Sequence, residues 1–330
     1  MNNITKYFLL ILLIIITLLF IYGVYSFIRP SKLGEKILNN YRLNYPAIIA
    51  HRGASTEAPE STEPAFEKAL KNGVDYVEVD IQRTKDGELI IFHDENLKRL
   101  SNVEDVFPEK ADEKVNEFTL KELKKLDFGS WFNNIYPQKS SSDYENLKIM
   151  RLEELIEMMK NKSKKTGLCI EFKHPEKYSD IEKQTVNLLK NTGWFEKKLK
   201  NNMPNVLIFS FSEESLKKVR DLNSDIPRIL LLNDNMVSIG SWKKWTKKAE
   251  KIAHGLAVKG FVSWPWHISS AHRRGLFVYS YVINESWQLK ILSRFKADGY
   301  ITDRPELLTS FFNRLEEIKE ELTGDLIEEQ

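Results

Sequence analysis

The chain has 330 residues, 49 lysines and arginines against 47 aspartates and glutamates, 42% hydrophobic residues and a single cysteine. One cysteine, Cys169, excludes an internal disulfide framework, and 11% aromatic content at a net charge of +2 excludes a disordered, self-repelling chain. So balanced a charge also argues against a nucleic-acid partner bound by blanket phosphate neutralisation.

The first element in chain order is the most uneven in composition. Tyr7–Ile28 is 22 residues without a charge, which as a helix spans about 33 Å, enough for the hydrocarbon core of a bilayer. A secretory signal peptide is the competing reading, but Val24-Tyr25-Ser26 is a poor cleavage site and the apolar run exceeds the usual core of about 7–15 residues. An uncleaved transmembrane anchor over 1–28 is therefore expected, in a single-pass protein of the cell membrane. A stretch apolar on all sides at the chain terminus is poorly suited to a buried core helix. Lys6 alone precedes the run, whereas Arg29, Lys32, Lys36 and Arg42 follow it. The positive-inside rule reads that bias as a cytoplasmic body, yet large domains translocate in spite of it. The side stays open, with an extracytoplasmic body preferred.

A charged connector, 29–46, leads into about 285 residues, the size of one α/β barrel. Short aliphatic or β-branched runs recur there: Ala47–Ala50, Val74–Ile81, Leu89–Phe92, Leu168–Phe172, Val206–Phe211, Ile229–Leu232, Phe277–Ile283 and Tyr300–Thr302. Most are continuously apolar, as strands buried on both faces must be. Amphipathic segments lie between them, among them Ala65–Lys71, Leu152–Lys160 and Glu213–Leu222. The alternation predicts a TIM-type (β/α)8 barrel over 47–322, with an open doubly wound sheet as the runner-up. Lys85-Asp86-Gly87 leaves room only for a hairpin or a helix-less crossover between the second and third strands. Residues 95–166 are long enough for an inserted or extended segment. A charged helix is expected from Glu306 to about Leu322, then a tail over 323–330.

Reactive residues of such barrels sit at the carboxyl ends of the strands. The first expected strand ends in His51-Arg52-Gly53 and the third in His93-Asp94. Glu78 and Asp80 stand two apart inside the second strand, and Glu171 and Lys173 two apart on the fourth, so each pair shares a face. Charges inside apolar strands are costly unless they pair or hold a metal. The acids could simply pair with Arg52 and Lys173. Three carboxylates converging on one barrel mouth instead make a hard oxygen site, better suited to Ca²⁺ or Mg²⁺ than to zinc. Phosphodiester hydrolysis needs a base, an acid and stabilised phosphoryl oxygens; two histidines, a divalent cation, Arg52 and Lys173 supply them.

His51-Arg52-Gly53-Ala54, Ala58-Pro59-Glu60, Val77-Glu78-Val79-Asp80, Thr84-Lys85-Asp86-Gly87, His93-Asp94-Glu95, Glu171-Phe172-Lys173 and Ile301-Thr302-Asp303-Arg304-Pro305 together resemble the signature blocks of the glycerophosphodiester phosphodiesterase family. The blocks span the whole body, in family order. The resemblance implies a TIM-barrel hydrolase that uses a divalent cation to cleave a glycerophosphodiester into an alcohol and glycerol phosphate. It further implies His51 and His93 as the acid/base pair, Glu78, Asp80 and Glu171 as metal ligands, and Arg52 and Lys173 as phosphate contacts. Glu60 is kept from the family's Glu-Asn-Thr, here Glu60-Ser61-Thr62, as a further ligand at the edge of the site. Tyr281-Val282-Ile283-Asn284 replaces the Trp-Thr-Val-Asn of many bacterial members, a change that could widen the substrate pocket around Tyr281.

Other features are read more plainly. His174, before Pro175, reads as structural, and His254, His267 and His272 have no paired spacing. Trp131 either lines the pocket or packs the 95–166 segment. Trp264, in Phe261-Val262-Ser263-Trp264-Pro265-Trp266, belongs either to a buried loop or to a lip facing lipid or an acyl chain. Lys243, Lys244, Lys247 and Lys248 read as a solvated helix face with a weak pull toward anionic lipid. Three functions are carried forward: phosphodiesterase on glycerophosphodiesters, lysophospholipase D on lysophospholipids, and a catalytically silent membrane binding protein. No obligate protein partner is indicated.

Overall fold

The computed structural model describes residues 3–237 and 241–314. The tail 323–330, and all but the start of the helix expected at Glu306–Leu322, lie outside the described residues.

Among the described residues nine strands form: β1 (Ala47–His51), β2 (Tyr76–Arg83), β3 (Leu89–Ile91), β4 (Gly167–Phe172), β5 (Val206–Ser210), β6 (Arg228–Leu232), β7 (Gly255–Lys259), β8 (Phe277–Tyr281) and β9 (Gly299–Thr302). Neighbours run β1-β9-β8-β7-β6-β5-β4-β2, all parallel, and β2 pairs back onto β1 with Ile49 opposite Tyr76. Eight staves thus close a barrel. A helix follows each stave: Glu63–Lys71, Leu152–Lys162, Ile181–Asn191, Glu213–Leu222, Trp242–Ile252, Pro265–His272, Ser286–Phe295 and Pro305–Phe311. The expected fold class holds, but two strand assignments change. Leu89–Ile91 is not a stave: it folds back antiparallel on β2, with Arg83 opposite Leu89, so the Lys85-Asp86-Gly87 turn closes a hairpin. The eighth stave is β7, which apolar runs did not reveal.

Period-two alternation divides the apolar residues into two cores. Tyr76, Glu78 and Asp80 face the barrel interior, whereas Val77, Val79 and Ile81 face the surrounding helices. Below the three acids the interior is filled by Ile49, Tyr76, Cys169, Leu207, Phe277 and Tyr279, all of them buried. A barrel of eight staves is narrow enough for side chains to fill, so the acids rest on a largely apolar floor, with Glu78 and Glu171 reaching the cavity at the strand ends.

Glycines at the feet of three staves make room for that floor. A Cβ on Gly255 would lie 2.2 Å from the Phe277 ring, and one on Gly167 would lie 2.6 Å from Tyr76. This explains why β7 is hard to read: Gly-Leu-Ala-Val-Lys is poor in β-branched residues because a large neighbouring ring already occupies its inner face.

The 29–46 connector contributes the helix Leu33–Asn40, whose Leu38 is fully buried against the foot of the barrel. His272 ties that segment down: its Nδ1 lies 2.7 Å from Ser31 Oγ and its Nε2 2.8 Å from buried Asp298. Residues 95–166 extend the β2–β4 connection through short helices and 3-10 turns. They pack a small core of their own around Leu97, Val103, Phe118 and Leu126, continuous with Phe92. The amino-terminal helix, Asn3–Ile28, is long and apolar enough over Ile4–Phe27 to cross a bilayer. Its last turn meets the body where Phe27 packs edge-on against Phe295, ring centroids 5.6 Å apart.

At Gly299 an added Cβ would stand 2.7 Å from the Tyr279 ring and 2.9 Å from the Ala47 carbonyl oxygen. Gly299→Ala is expected to destabilise the barrel by about 1–3 kcal/mol, lowering Tm by several degrees in a melt followed by circular dichroism. An unchanged Tm would contradict this account of the floor.

Candidate active site

The turn after β1 brings the first cation over the acids. Arg52 and Gly53 both have positive φ, 56° and 84°, and a Cβ on Gly53 would lie 2.7 Å from the Ala65 backbone. Only glycine fits that approach at low cost. The turn aims the Arg52 amide at Glu78, whose Oε2 accepts it at 3.0 Å, and folds the guanidinium back so that its Nε lies 2.9 Å from Asp80 Oδ2. From β4, Lys173 reaches the other Asp80 oxygen at 3.0 Å and also contacts Glu171.

Glu78, Asp80 and Glu171 are all buried, and ligand oxygens from the three lie within 4.8 Å of one another. Their protonation differs accordingly. Burial pushes Glu78 up to about 8, helped by the charge of Asp80, and burial raises Glu171 as well. Burial acts the same way on Asp80, but Lys173 and Arg52 override it and hold that carboxyl well below its ordinary value. The opposing shifts mark a site with more negative charge than its two cations neutralise.

This donor set fits a divalent cation. Glu78 Oε1 is buried without a hydrogen-bond partner, and both Asp80 oxygens lie near a cation without an aligned hydrogen bond. A buried carboxylate oxygen left without a partner, as Glu78 Oε1 is, is costly. All three donors are hard oxygens, of the kind that bind Ca²⁺ or Mg²⁺.

Both histidines reach the same cavity, of about 250 Å³, which is lined by His51, His93, Glu78, Glu171, Arg52 and Lys173 on its polar side and by Phe209, Phe211, Leu231, Tyr281 and Ile301 on its apolar side. A wider groove of about 640 Å³ adjoins it, sharing His93, Glu171, Lys173 and Phe211. Each imidazole is oriented through Nδ1 by a carboxylate. His51 Nδ1 lies 2.7 Å from Asp303 Oδ1, and His93 Nδ1 lies 2.6 Å from Asp94 Oδ1. Nε2 of each ring is thereby left for chemistry in the cavity. Burial works against the imidazolium of His51, but Asp303 and Glu78 outweigh it and raise its pKa.

Asp303 is itself fixed from three directions: Ser55 Oγ donates to Oδ1 at 3.0 Å, Asn284 Nδ2 donates to Oδ2 at 2.6 Å, and Asn284 Oδ1 accepts the Asp303 amide at 2.9 Å. On the other side Arg99 clamps Asp94 through Nε at 2.6 Å and Glu60 through both terminal nitrogens at 2.9 Å. Glu60 in turn accepts from Arg52 at 2.8 Å. The His93 support thus runs through Arg99, Glu60 and Arg52 back to Asp80, whereas the His51 support ends on Ser55 and Asn284.

The sequence candidates separate cleanly. His51, His93, Arg52, Lys173, Glu78, Asp80 and Glu171 converge. Glu60 sits at the rim as a brace between Arg52 and Arg99, rather than beside the three acids. Tyr281 lines the cavity with its ring while its hydroxyl donates to the Leu232 carbonyl at 2.8 Å. Trp131 packs in the 95–166 segment, donating to Phe128 O at 3.0 Å, and Trp264 lies on the outer flank, stacked on Trp266. Asp303, Asp94, Arg99 and Asn284 also support the site, and none of them carries a pattern of its own in the sequence. Asp303 lies inside the Thr302-Asp303-Arg304-Pro305 block, and Asp94 follows His93, so adjacency to the motifs was the available signal.

Comparison with known proteins agrees with this geometry. The profile of the Glycerophosphoryl diester phosphodiesterase family matches residues 51–307. A glycerophosphodiester phosphodiesterase of Bacillus subtilis is 34% identical over 78% of this chain and 84% of its own length. One of Caldanaerobacter subterraneus is 28% identical over 81% and 98%. Among solved structures, an Oleispira antarctica phosphodiesterase in complex with the product sn-glycerol-3-phosphate superposes with a TM-score of 0.68 at 26% identity, covering 82% of this chain and 97% of that one.

The Asp303–His51 contact makes a sharp prediction. Asp303→Asn removes the charge that favours His51 protonation, so a limb of the pH–rate profile that follows His51 is expected to move to lower pH. Turnover falls by about 10²-fold or more as the tautomer is lost. An unchanged limb would show that Asp303 does not act through His51.

Proposed function

The chain belongs to the glycerophosphoryl diester phosphodiesterase family, and from that premise we propose that it cleaves glycerophosphodiesters to an alcohol and glycerol phosphate, with His51 and His93 as its acid and base. The observation that carries the reading is the pair of imidazoles, each anchored through Nδ1 by a carboxylate and each lining the cavity that Glu78 and Glu171 also line. Near neutral pH such a pair can take and give a proton in one turnover.

One histidine removes the proton of the attacking oxygen, from water or from the glycerol 2-hydroxyl, as the new O–P bond forms; the 2-hydroxyl route gives a cyclic phosphate that a water molecule then opens to glycerol phosphate. The other protonates the departing alkoxide as the old P–O bond breaks. Arg52 and Lys173 face the developing charge on the phosphoryl oxygens. Glu78, Asp80 and Glu171 would hold a divalent cation, which when bound supplies Lewis-acid stabilisation of those oxygens. The cavity of about 250 Å³ suits the glycerol phosphate half, and the adjoining groove of about 640 Å³ takes the alcohol half.

We read residues 1–28 as a single-pass membrane anchor, 29–46 as a connector that closes the barrel foot, and 47–322 as the catalytic barrel. The anchor and the apolar wall around exposed Phe211 favour a second substrate class, lysophospholipids, cleaved by the same chemistry as a lysophospholipase D.

His51→Ala and His93→Ala are each expected to lower kcat by roughly 10²–10⁴-fold while leaving the thermal melt in place; full turnover in either would refute the assignment. Glycerophosphocholine and lysophosphatidylcholine assayed side by side decide the substrate class. Hydrolysis of the soluble diester alone removes the lysophospholipid reading.

A further inference from the structure

The body carries a file of aromatic rings that the catalytic site does not use, exposed at Phe261, Trp264 and Trp287 and joined to the anchor through buried Phe295. It begins at the foot of the barrel, where Phe27, at the end of the amino-terminal helix, packs on Phe295. It continues through Trp264, 5.6 Å from Phe295, and Trp266, stacked parallel to Trp264 at 5.1 Å. It ends with Phe261 stacked on Trp287 at 5.4 Å. Trp287 opens the helix that follows β8 and Phe261 follows β7, so these last two rings lie toward the catalytic mouth. The file therefore runs along the flank of the barrel from the anchor to the strand ends.

Its exposure is out of keeping with a surface meant for water. Phe261 is 54% exposed, Trp287 51% and Trp264 39%, and no other tryptophan reaches that range. Burying such rings is worth a large share of any interface. Beside the file, the helix Trp242–Ile252 packs on Pro265–His272 through Trp242 stacked on His267 at 4.5 Å, and it exposes Lys243, Lys244, Lys247 and Lys251. Tryptophans that combine an apolar ring with a polar N–H, flanked by lysines, are the composition of a bilayer–water interface.

We propose that this flank rests on the surface of an anionic bilayer, the one in which the amino-terminal helix is inserted, so that the barrel lies on its side with its mouth at the lipid surface. The occupant is argued from continuity: the file starts on the anchor itself through Phe27, and the lysine face beside it matches anionic headgroups. The proposal rests on reading Asn3–Ile28 as a retained anchor and is independent of the chemistry. It places the cavity within reach of a diester whose glycerol carries an acyl chain in the membrane.

The sequence provides its own probe. The seven tryptophans all lie in the body and none in the anchor helix, and three of them, Trp264, Trp266 and Trp287, form the file. The full chain is reconstituted into vesicles of phosphatidylglycerol and phosphatidylcholine whose acyl chains are brominated near the headgroup, and tryptophan emission is compared with that in unbrominated vesicles. Flotation after an alkaline wash reports the anchor separately, and the thermal melt reports folding. The expected result is quenching in floating wild-type protein that is mostly lost in the variant Trp264→Phe, Trp266→Phe, Trp287→Phe. Emission unquenched in protein that floats, or quenching undiminished in the folded variant, would overturn the proposal while leaving the anchor intact. Protein that does not float would overturn the anchor reading and the proposal with it.

Discussion

Three carboxylates share one small space inside an apolar barrel, and the rest of the site is arranged to balance them. Asp80 stays ionised because Lys173 and Arg52 stand on either side of it. Glu78 has only the Arg52 amide on one oxygen and nothing on the other, and it is pushed toward its neutral form. Such a cluster is poorly compensated by side chains alone, and a divalent cation would relieve it while adding the positive charge that phosphoryl transfer requires. The glycine floor, the positive-φ turn at Arg52-Gly53 and the closed staves hold the three acids in this uncomfortable proximity.

The histidines extend the same electrostatics outward. His51 is pulled toward its charged form by Asp303 and by Glu78, so the field of the acid cluster reaches the imidazole. On the opposite side the series His93, Asp94, Arg99, Glu60, Arg52, Asp80 alternates base and acid all the way back to the cluster. Glu60 thus bridges the two guanidinium groups of Arg52 and Arg99.

Much of the site was legible because a charge inside an apolar strand has few innocent explanations. Glu78, Asp80 and Glu171 stood out for that reason, and the two-residue period of a strand by itself puts Glu78 and Asp80 on one face. Asp303 did not stand out, because its meaning depends on a contact spanning 252 positions. The fold class was equally legible, but the stave count matched for partly wrong reasons. Leu89–Ile91 is apolar enough for a stave, and its sequence does not say whether it runs with β2 or back along it. The true stave β7 was hidden by the glycine that makes room for Phe277. Aromatic residues were the least legible: Trp131 and Trp264 invited a pocket role, and only the packing sends one into the 95–166 segment and the other to the outer flank.

The central claim is that Glu78, Asp80 and Glu171 form one divalent-cation site, and calorimetric titration of the chelated protein with Ca²⁺ and with Mg²⁺ tests it most directly. Because Glu78 is held near pKa 8 without the ion, binding at neutral pH should release a proton. The heat should then depend on the ionisation enthalpy of the buffer. Saturable binding with that buffer dependence, abolished in Glu78→Gln, is the predicted result. Absence of binding by either ion, or binding unaltered by Glu78→Gln, would contradict it.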